Sequence, residues 1–174
     1  FMIGLGGNDQ LQGGTADDRI IGGLGDDTLV GNGGIDVLRG GGGNDLLETP
    51  DLNFARIDGG GGHDTWLIDK NGSIDLTNIS NLQVRDIEAI DLQENGGGGS
   101  GLMGLDARDV LDMTSNGVLE IFGDNSDSVA TVDTWAMAGT TTMSNGQTGQ
   151  IYTSTTTTAQ LIVDVDITPS GIMV

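Results

Sequence analysis

Along residues 1–67 the apolar positions return at an interval of nine. Leu11, Ile20, Leu29, Leu38 and Leu47 each stand two places after an aspartate, in Asp9-Gln10-Leu11, Asp18-Arg19-Ile20, Asp27-Thr28-Leu29, Asp36-Val37-Leu38 and Asp45-Leu46-Leu47. Ahead of the aspartates lie glycine-rich loops, such as Gly13-Gly14-Thr15-Ala16-Asp17-Asp18, Gly22-Gly23-Leu24-Gly25-Asp26-Asp27 and Gly40-Gly41-Gly42-Gly43-Asn44-Asp45. A displaced copy, Gly59-Gly60-Gly61-Gly62-His63-Asp64-Thr65-Trp66, follows an irregular stretch at 49–58. Successive strand residues face opposite sides, so the one apolar residue per repeat points into a narrow core. Strands this short cannot bury themselves alone, and neighbouring turns must stack. Glycine allows the loop to turn its carbonyls inward, and the aspartate adds a carboxylate to them, an all-oxygen arrangement suited to a hard cation.

Beyond Trp66 the nine-residue period fades while β-type segments continue. Ser73–Leu76, Asn81–Val84 and Ile87–Leu92 read as further coils without ligand loops, with a turn at Asp69-Lys70-Asn71-Gly72 and a loop at Asn95–Gly101 that resembles an engineered linker. Leu105–Met113 is the one helix candidate, with an acidic start and helical apolar spacing. Val118–Phe122, Ser128–Val132, Thr134–Met137 and Gln160–Val165 read as strands. The runs Thr140–Thr142 and Thr155–Thr158 resemble ice-binding threonine arrays but do not recur at solenoid spacing, so they read as exposed strand.

Composition sharpens the cation reading. The 174 residues carry 26 acidic and 6 basic side chains, net −20, and 22 of the acids are Asp against 4 Glu. A solvated acidic face would mix the two; short carboxylates on tight turns are hard-cation ligands. Such a charge argues against nucleic acid or an anionic membrane surface as partner, and self-repulsion keeps the chain expanded until cations neutralise it. Thirty-two glycines and six aromatic residues exclude an ordinary large core, leaving backbone pairing and a bound ligand to stabilise the fold. Cysteine is absent, and no apolar run approaches the roughly 18 residues of a membrane span. No signal peptide opens the chain, which starts mid-pattern at Phe1-Met2-Ile3 and reads as a monomeric fragment of something longer. Motifs for a serine elbow, a zincin or a phosphate loop are missing, so a non-enzyme is expected. His63 reads as a solvated loop residue, Trp66 as core, Trp135 and Tyr152 as cap core, and Asp124 and Asp127 as turn residues rather than a further cation site.

The repeats resemble the repeats-in-toxin (RTX) nonapeptide family, Gly-Gly-x-Gly-x-Asp-x-apolar-x. The resemblance implies an all-β fold: a right-handed parallel β-roll, two nonapeptides per turn, followed by a β-rich cap with at most one short helix. It implies several Ca²⁺ ions held between loops two repeats apart, pairing Asp9 with Asp27, Asp18 with Asp36, and Asp27 with Asp45. Backbone carbonyls of Gly13, Thr15, Gly22, Leu24, Gly31, Gly33, Gly40 and Gly42 would complete the shells. Leu5 and Asn32 replace the second glycine and Ala16 the fourth; Leu5 implies a frayed or distorted first loop, whereas Asn32 is mild. The ten-residue segment Thr49–Asp58 places Ala55 near the ligand position, so Asp36 lacks a partner beyond it while Asp45 can still reach Asp64.

The segments 65–112 and Ile121–Val129 with Trp135 are similar to the cap that follows RTX arrays in large bacterial surface adhesins. The basic-free stretch after Arg108 is similar to uncleaved signals of type I secretion. The expected organisation is therefore roll at 1–67, degenerate continuation at 68–112, and cap with export signal at 113–174. The function implied is a secreted, cell-surface module that folds on calcium after passing the type I secretion machinery. The targeting tail of an RTX protease or lipase, and a cap that binds a ligand such as sugar, ice or peptide, are the competing readings.

Overall fold

The computed structural model describes residues 1–69, 72–80, 82–92 and 99–173. The turn expected around Lys70-Asn71, the start of the segment at Asn81 and residues 95–98 of the expected glycine loop lie outside the described residues. Each nine-residue repeat contributes one short strand. In chain order these are β1 (Met2–Gly6), β2 (Gln10–Gln12), β3 (Arg19–Leu24), β4 (Thr28–Val30), β5 (Asp36–Gly42), β6 (Leu46–Thr49), β7 (Phe54–Gly61) and β8 (Thr65–Ile68). Odd strands form one parallel sheet, β1-β3-β5-β7, and even strands another, β2-β4-β6-β8, so two repeats make one coil of a β-roll.

The coil continues past the repeats. After β9 (Gly72–Asp75) and a 3₁₀ turn at Leu76–Asn78, β10 (Val84–Arg85) extends the first sheet and β11 (Ala89–Asp91) the second. In the segment expected at 81–84, residues 82–83 are turn and strand begins at Val84. One interior ladder then runs through the second sheet: Leu11, Leu29, Leu47, Trp66, Ile90, Ile121 and Val163 are consecutive partners. All but Leu11 are buried, and the main apolar cluster extends from Ile20 to Ile167 without interruption.

The remaining elements are β12 (Ser100–Leu105), α1 (Ala107–Met113), β13 (Val118–Phe122), β14 (Ser128–Thr142), β15 (Thr148–Ser154), β16 (Gln160–Asp164) and β17 (Thr168–Met173). Helix α1 starts at a capping box: Asp106 accepts from the N–H groups of Arg108 and Asp109, and Asp109 accepts from the Asp106 N–H. Its buried Ala107, Val110 and Met113 face the core. The two strands expected at 128–137 are one strand, β14. Its first part pairs in parallel with β12, and its second part pairs antiparallel with β15. Because β15 also runs antiparallel to β16, the parallel stacking direction ends there. Thr140–Thr142 lies in β14, whereas Thr155–Thr158 forms the turn before β16 rather than strand. There the Ser154 hydroxyl accepts from the N–H groups of Thr156 and Thr157.

Two departures from the repeat are absorbed locally. Leu5 does not fray: it sits in β1 opposite Gly23, in the left-handed region (φ 81°) that its glycine-consensus position demands, with its side chain exposed. The extra residue near 55 becomes a bulge. Asp36 pairs with Phe54 and Val37 with Arg56, so Ala55 is squeezed out and Phe54, not Ala55, takes the ligand position. Buried Phe54 packs edge-on against Trp66, ring centroids 5.3 Å apart.

Candidate metal centres

Loops leading from the first sheet to the second stack into one file carrying Asp9, Asp27, Asp45 and Asp64. Loops leading back form a second file with Asp18 and Asp36, which Phe54 ends. Within each file an identical contact recurs. The N–H of Asp9 donates to Asp27 Oδ1, that of Asp27 to Asp45 Oδ1, that of Asp45 to Asp64 Oδ1, and that of Asp18 to Asp36 Oδ1, all at 2.8 Å. A side chain as short as aspartate keeps its carboxylate level with the next loop at this 18- or 19-residue spacing, in keeping with the Asp bias.

The fifth place of the repeat forms a second ladder that sequence reasoning treated as variable. Asn8 Oδ1 accepts from the Asp26 N–H, Asp26 Oδ1 from Asn44, and Asn44 Oδ1 from His63; Asp17 Oδ1 accepts from Ile35 in the other file. This ladder points backward along the coil and the aspartate ladder forward, so neighbouring loops are locked both ways. The signal was present in the run of Asn and Asp at that place. His63 itself is half exposed, with Nε2 3.7 Å from Glu120.

One oxygen of each carboxylate in the first file is left over. Oδ2 of Asp9, Asp27, Asp45 and Asp64 is buried and receives no hydrogen bond. Each crowds a glycine that a backbone carbonyl of the next coil also crowds. A methyl group placed on Gly4 would stand 2.7 Å from the Gly22 carbonyl oxygen, one on Gly22 2.8 Å from that of Gly40, and one on Gly40 2.6 Å from that of Gly59. In these three places the nearest atom is an orphaned Asp Oδ2, and beyond Gly59 the pattern repeats with Asp64 Oδ2 and the Asp86 carbonyl. In the second file Asp18 Oδ2 meets the Gly31 carbonyl beside Gly13, but it also accepts from the Gly14 N–H.

The structure therefore brings Gly22, Gly31 and Gly40 to the carboxylates. It adds Gly59 and Asp86, which the sequence did not single out because the intervening coil is irregular. The carbonyls of Leu24 and Gly42 accept ladder bonds from Gly7 and Gly25, that of Gly13 accepts from the Asn32 amide, and Gly33 packs over Thr15. Those groups retain only a second lone pair for any ligand. Among the described residues no three His, Cys, Asp or Glu side chains converge on one point. Carbonyls must supply the remaining oxygens, as calcium accepts and zinc does not favour.

The electrostatics agree. Burial pushes the carboxyls of Asp36 and Asp45 above the ordinary range, and that of Asp64, with Asp45, Glu88 and Asp86 adding repulsion, up to about 7. Burying converging negative oxygens without donors costs several kcal/mol unless a cation pairs with them. Beyond Asp64 the file closes. Glu88 occupies the next position, but its oxygens accept from the Asp64 N–H and from the Ser115 N–H and hydroxyl, leaving neither orphaned. In the cap, Asp127 Oδ1 accepts from the Ser100 N–H just as the repeat aspartates do, while its Oδ2 takes the Asp124 N–H. There a turn hydrogen bond stands where the repeats leave an oxygen bare.

The family profile of the RTX calcium-binding nonapeptide repeat, four copies long, matches residues 3–38 and 21–49. These are RTX repeats. The RTX nonapeptide binds Ca²⁺ ions and is a structural motif rather than a catalytic one, typical of secreted bacterial proteins. The matched RTX segment ends at Thr49, where the irregular stretch begins. Comparison with curated proteins and with solved structures finds no significant match. Among the described residues no helix is long and apolar enough to cross a membrane.

Proposed function

We propose that the chain is a calcium-triggered folding module, exported unfolded through a type I secretion machinery and folding outside the cell as the C-terminal end of a large bacterial adhesin. The observation that carries the calcium part is the row of buried, donor-free Oδ2 atoms on Asp9, Asp27, Asp45 and Asp64. Those four, with Asp18 and Asp36 on the other file, are the carboxylate ligands; the carbonyls of Gly22, Gly31, Gly40, Gly59 and Asp86 are the nearest backbone partners. Gly13, Thr15, Leu24, Gly33 and Gly42 stand in the same loops and complete the shells.

Calcium supplies the positive charge that lets these oxygens share one buried file. Where free Ca²⁺ is scarce, the −20 chain repels itself and stays threadable. Extracellular sites commonly bind at 10⁻⁴–10⁻³ M. Each ion that binds only the folded state adds RT ln(1 + [L]/Kd), about 1–2.7 kcal/mol at ~5–100 times Kd. Several sites together carry a glycine-rich roll past its folding threshold. The adhesin and export parts rest on the resemblance of the cap and of the basic-free C-terminal stretch. The test is circular dichroism in millimolar CaCl₂ and after EGTA: a β spectrum should collapse on chelation and return with calcium. An unchanged spectrum sinks the folding-switch reading.

A further inference from the structure

The chain has five arginines and one lysine, and four of those six cations stand on one face. Arg19, Val37 and Arg56 share a row across β3, β5 and β7; Ile21, Arg39, Asp58 and Arg85 share the next row and reach β10. All of these except Ile21 line a groove of about 460 Å³, with Gly60 and Asp86, on the outer side of the first sheet. Inside it Arg56 Nη2 bonds Asp58 Oδ2 at 2.6 Å, and Arg85 lies 3.7 Å from Asp86. Arg19 and Arg39 have no ion pair or hydrogen bond among the described residues, and Arg56 Nε is buried with no acceptor. Four guanidinium groups against two carboxylates leave two positive charges in excess, in a molecule whose net charge is −20.

Balancing Asp58 requires one arginine, not four. We propose that this groove is a binding site for an acidic sugar, a monosaccharide carrying a carboxylate. The unpaired guanidinium forks of Arg19 and Arg39 take the carboxylate, for which their planar donors are matched. The carboxylates of Asp58 and Asp86 are acceptors, and they suit the hydroxyl donors that a sugar presents and that sulfate lacks. The volume falls within the roughly 300–1,000 Å³ range of small-molecule sites. A long polyanion or nucleic acid fits less well, because the acidic body of the chain repels it outside the groove. The site lies on the outer sheet face and shares Asp86 with the calcium loops, through that residue's backbone carbonyl.

Glucuronate titrated into the full ¹⁵N-labelled chain in saturating Ca²⁺, followed through the arginine Nε–Hε resonances, tests the proposal. Saturable shifts of Arg19, Arg39 and Arg56, absent with glucose and weakened as ionic strength rises, are expected. Arg19→Gln with Arg39→Gln, both exposed positions, should weaken binding at least tenfold with an unchanged circular dichroism spectrum. No saturable shift in the native chain, or undiminished binding by a folded double variant, overturns the site. Sulfate binding as tightly as glucuronate overturns the sugar assignment.

Discussion

At the scale of single residues, the two oxygens of a repeat aspartate have separate work. Asp45 Oδ1 tethers the neighbouring loop through the Asp27 N–H, while Oδ2 lies buried beside the Gly59 carbonyl with no donor. Asp45→Asn keeps the first contact and turns the second into an amide donor facing that carbonyl. Calcium binding at this position should weaken at least tenfold by calorimetry. The metal-stripped variant should meanwhile be more stable than the parent by about 1 kcal/mol in chemical denaturation, the net value of one buried hydrogen bond. If calcium affinity is unaltered, Asp45 is a tether only. The type of residue and its nine-residue spacing were legible in the sequence. Which oxygen is tied down and which is bare was not, since that depends on the coil stacked above.

Among the elements, β7 shows how an irregular coil is tolerated. Its extra residue bulges at Ala55, and Phe54 replaces a carboxylate with a ring packed edge-on against Trp66. Phe54→Ala should cost about 3–5 kcal/mol of stability in saturating calcium, as for other buried aromatics. The ions held by Asp9, Asp27, Asp45 and Asp64 should remain bound, because that file runs along the opposite edge from Phe54 and Asp36. Chemical denaturation and calorimetry on one sample separate the two effects. A loss of bound calcium would show the edges to be coupled. The sequence exposed the irregularity through its length, yet pointed to Ala55; register along β5 and β7 moved the ligand position to Phe54.

For the whole molecule, stability without metal must run against the usual dependence on pH. The carboxyls of Asp36, Asp45 and Asp64 are raised in the fold, Asp64 from 3.8 to about 7, so the folded state holds protons more tightly than the unfolded chain. Where the native state binds more protons, stability falls as pH rises. The metal-stripped chain should therefore be most stable near pH 4 and lose stability progressively up to about pH 7, with the easing of net charge at low pH acting in the same direction. In saturating calcium the trend should reverse over that window, since protons compete with the ion for the same oxygens. Thermal melts across pH in both conditions check this; parallel curves would refute it.

The sequence by itself determined the repeat and its all-oxygen cation chemistry, because period, glycine placement and aspartate offset are all local; two strands per coil was what the resemblance to RTX repeats implied. Helix α1 was legible for the same reason, its capping box lying within four residues of chain. Tertiary structure alone decided the rest. Glu88 closes the aspartate file from 24 residues beyond Asp64, the hairpin of β14 and β15 turns a parallel sheet antiparallel, and four scattered arginines meet in one groove. Each depends on how many residues a coil takes to return to the same edge. Once coils lengthen from 18 residues to 19 and then 24, no fixed offset along the chain records which side chains will be neighbours.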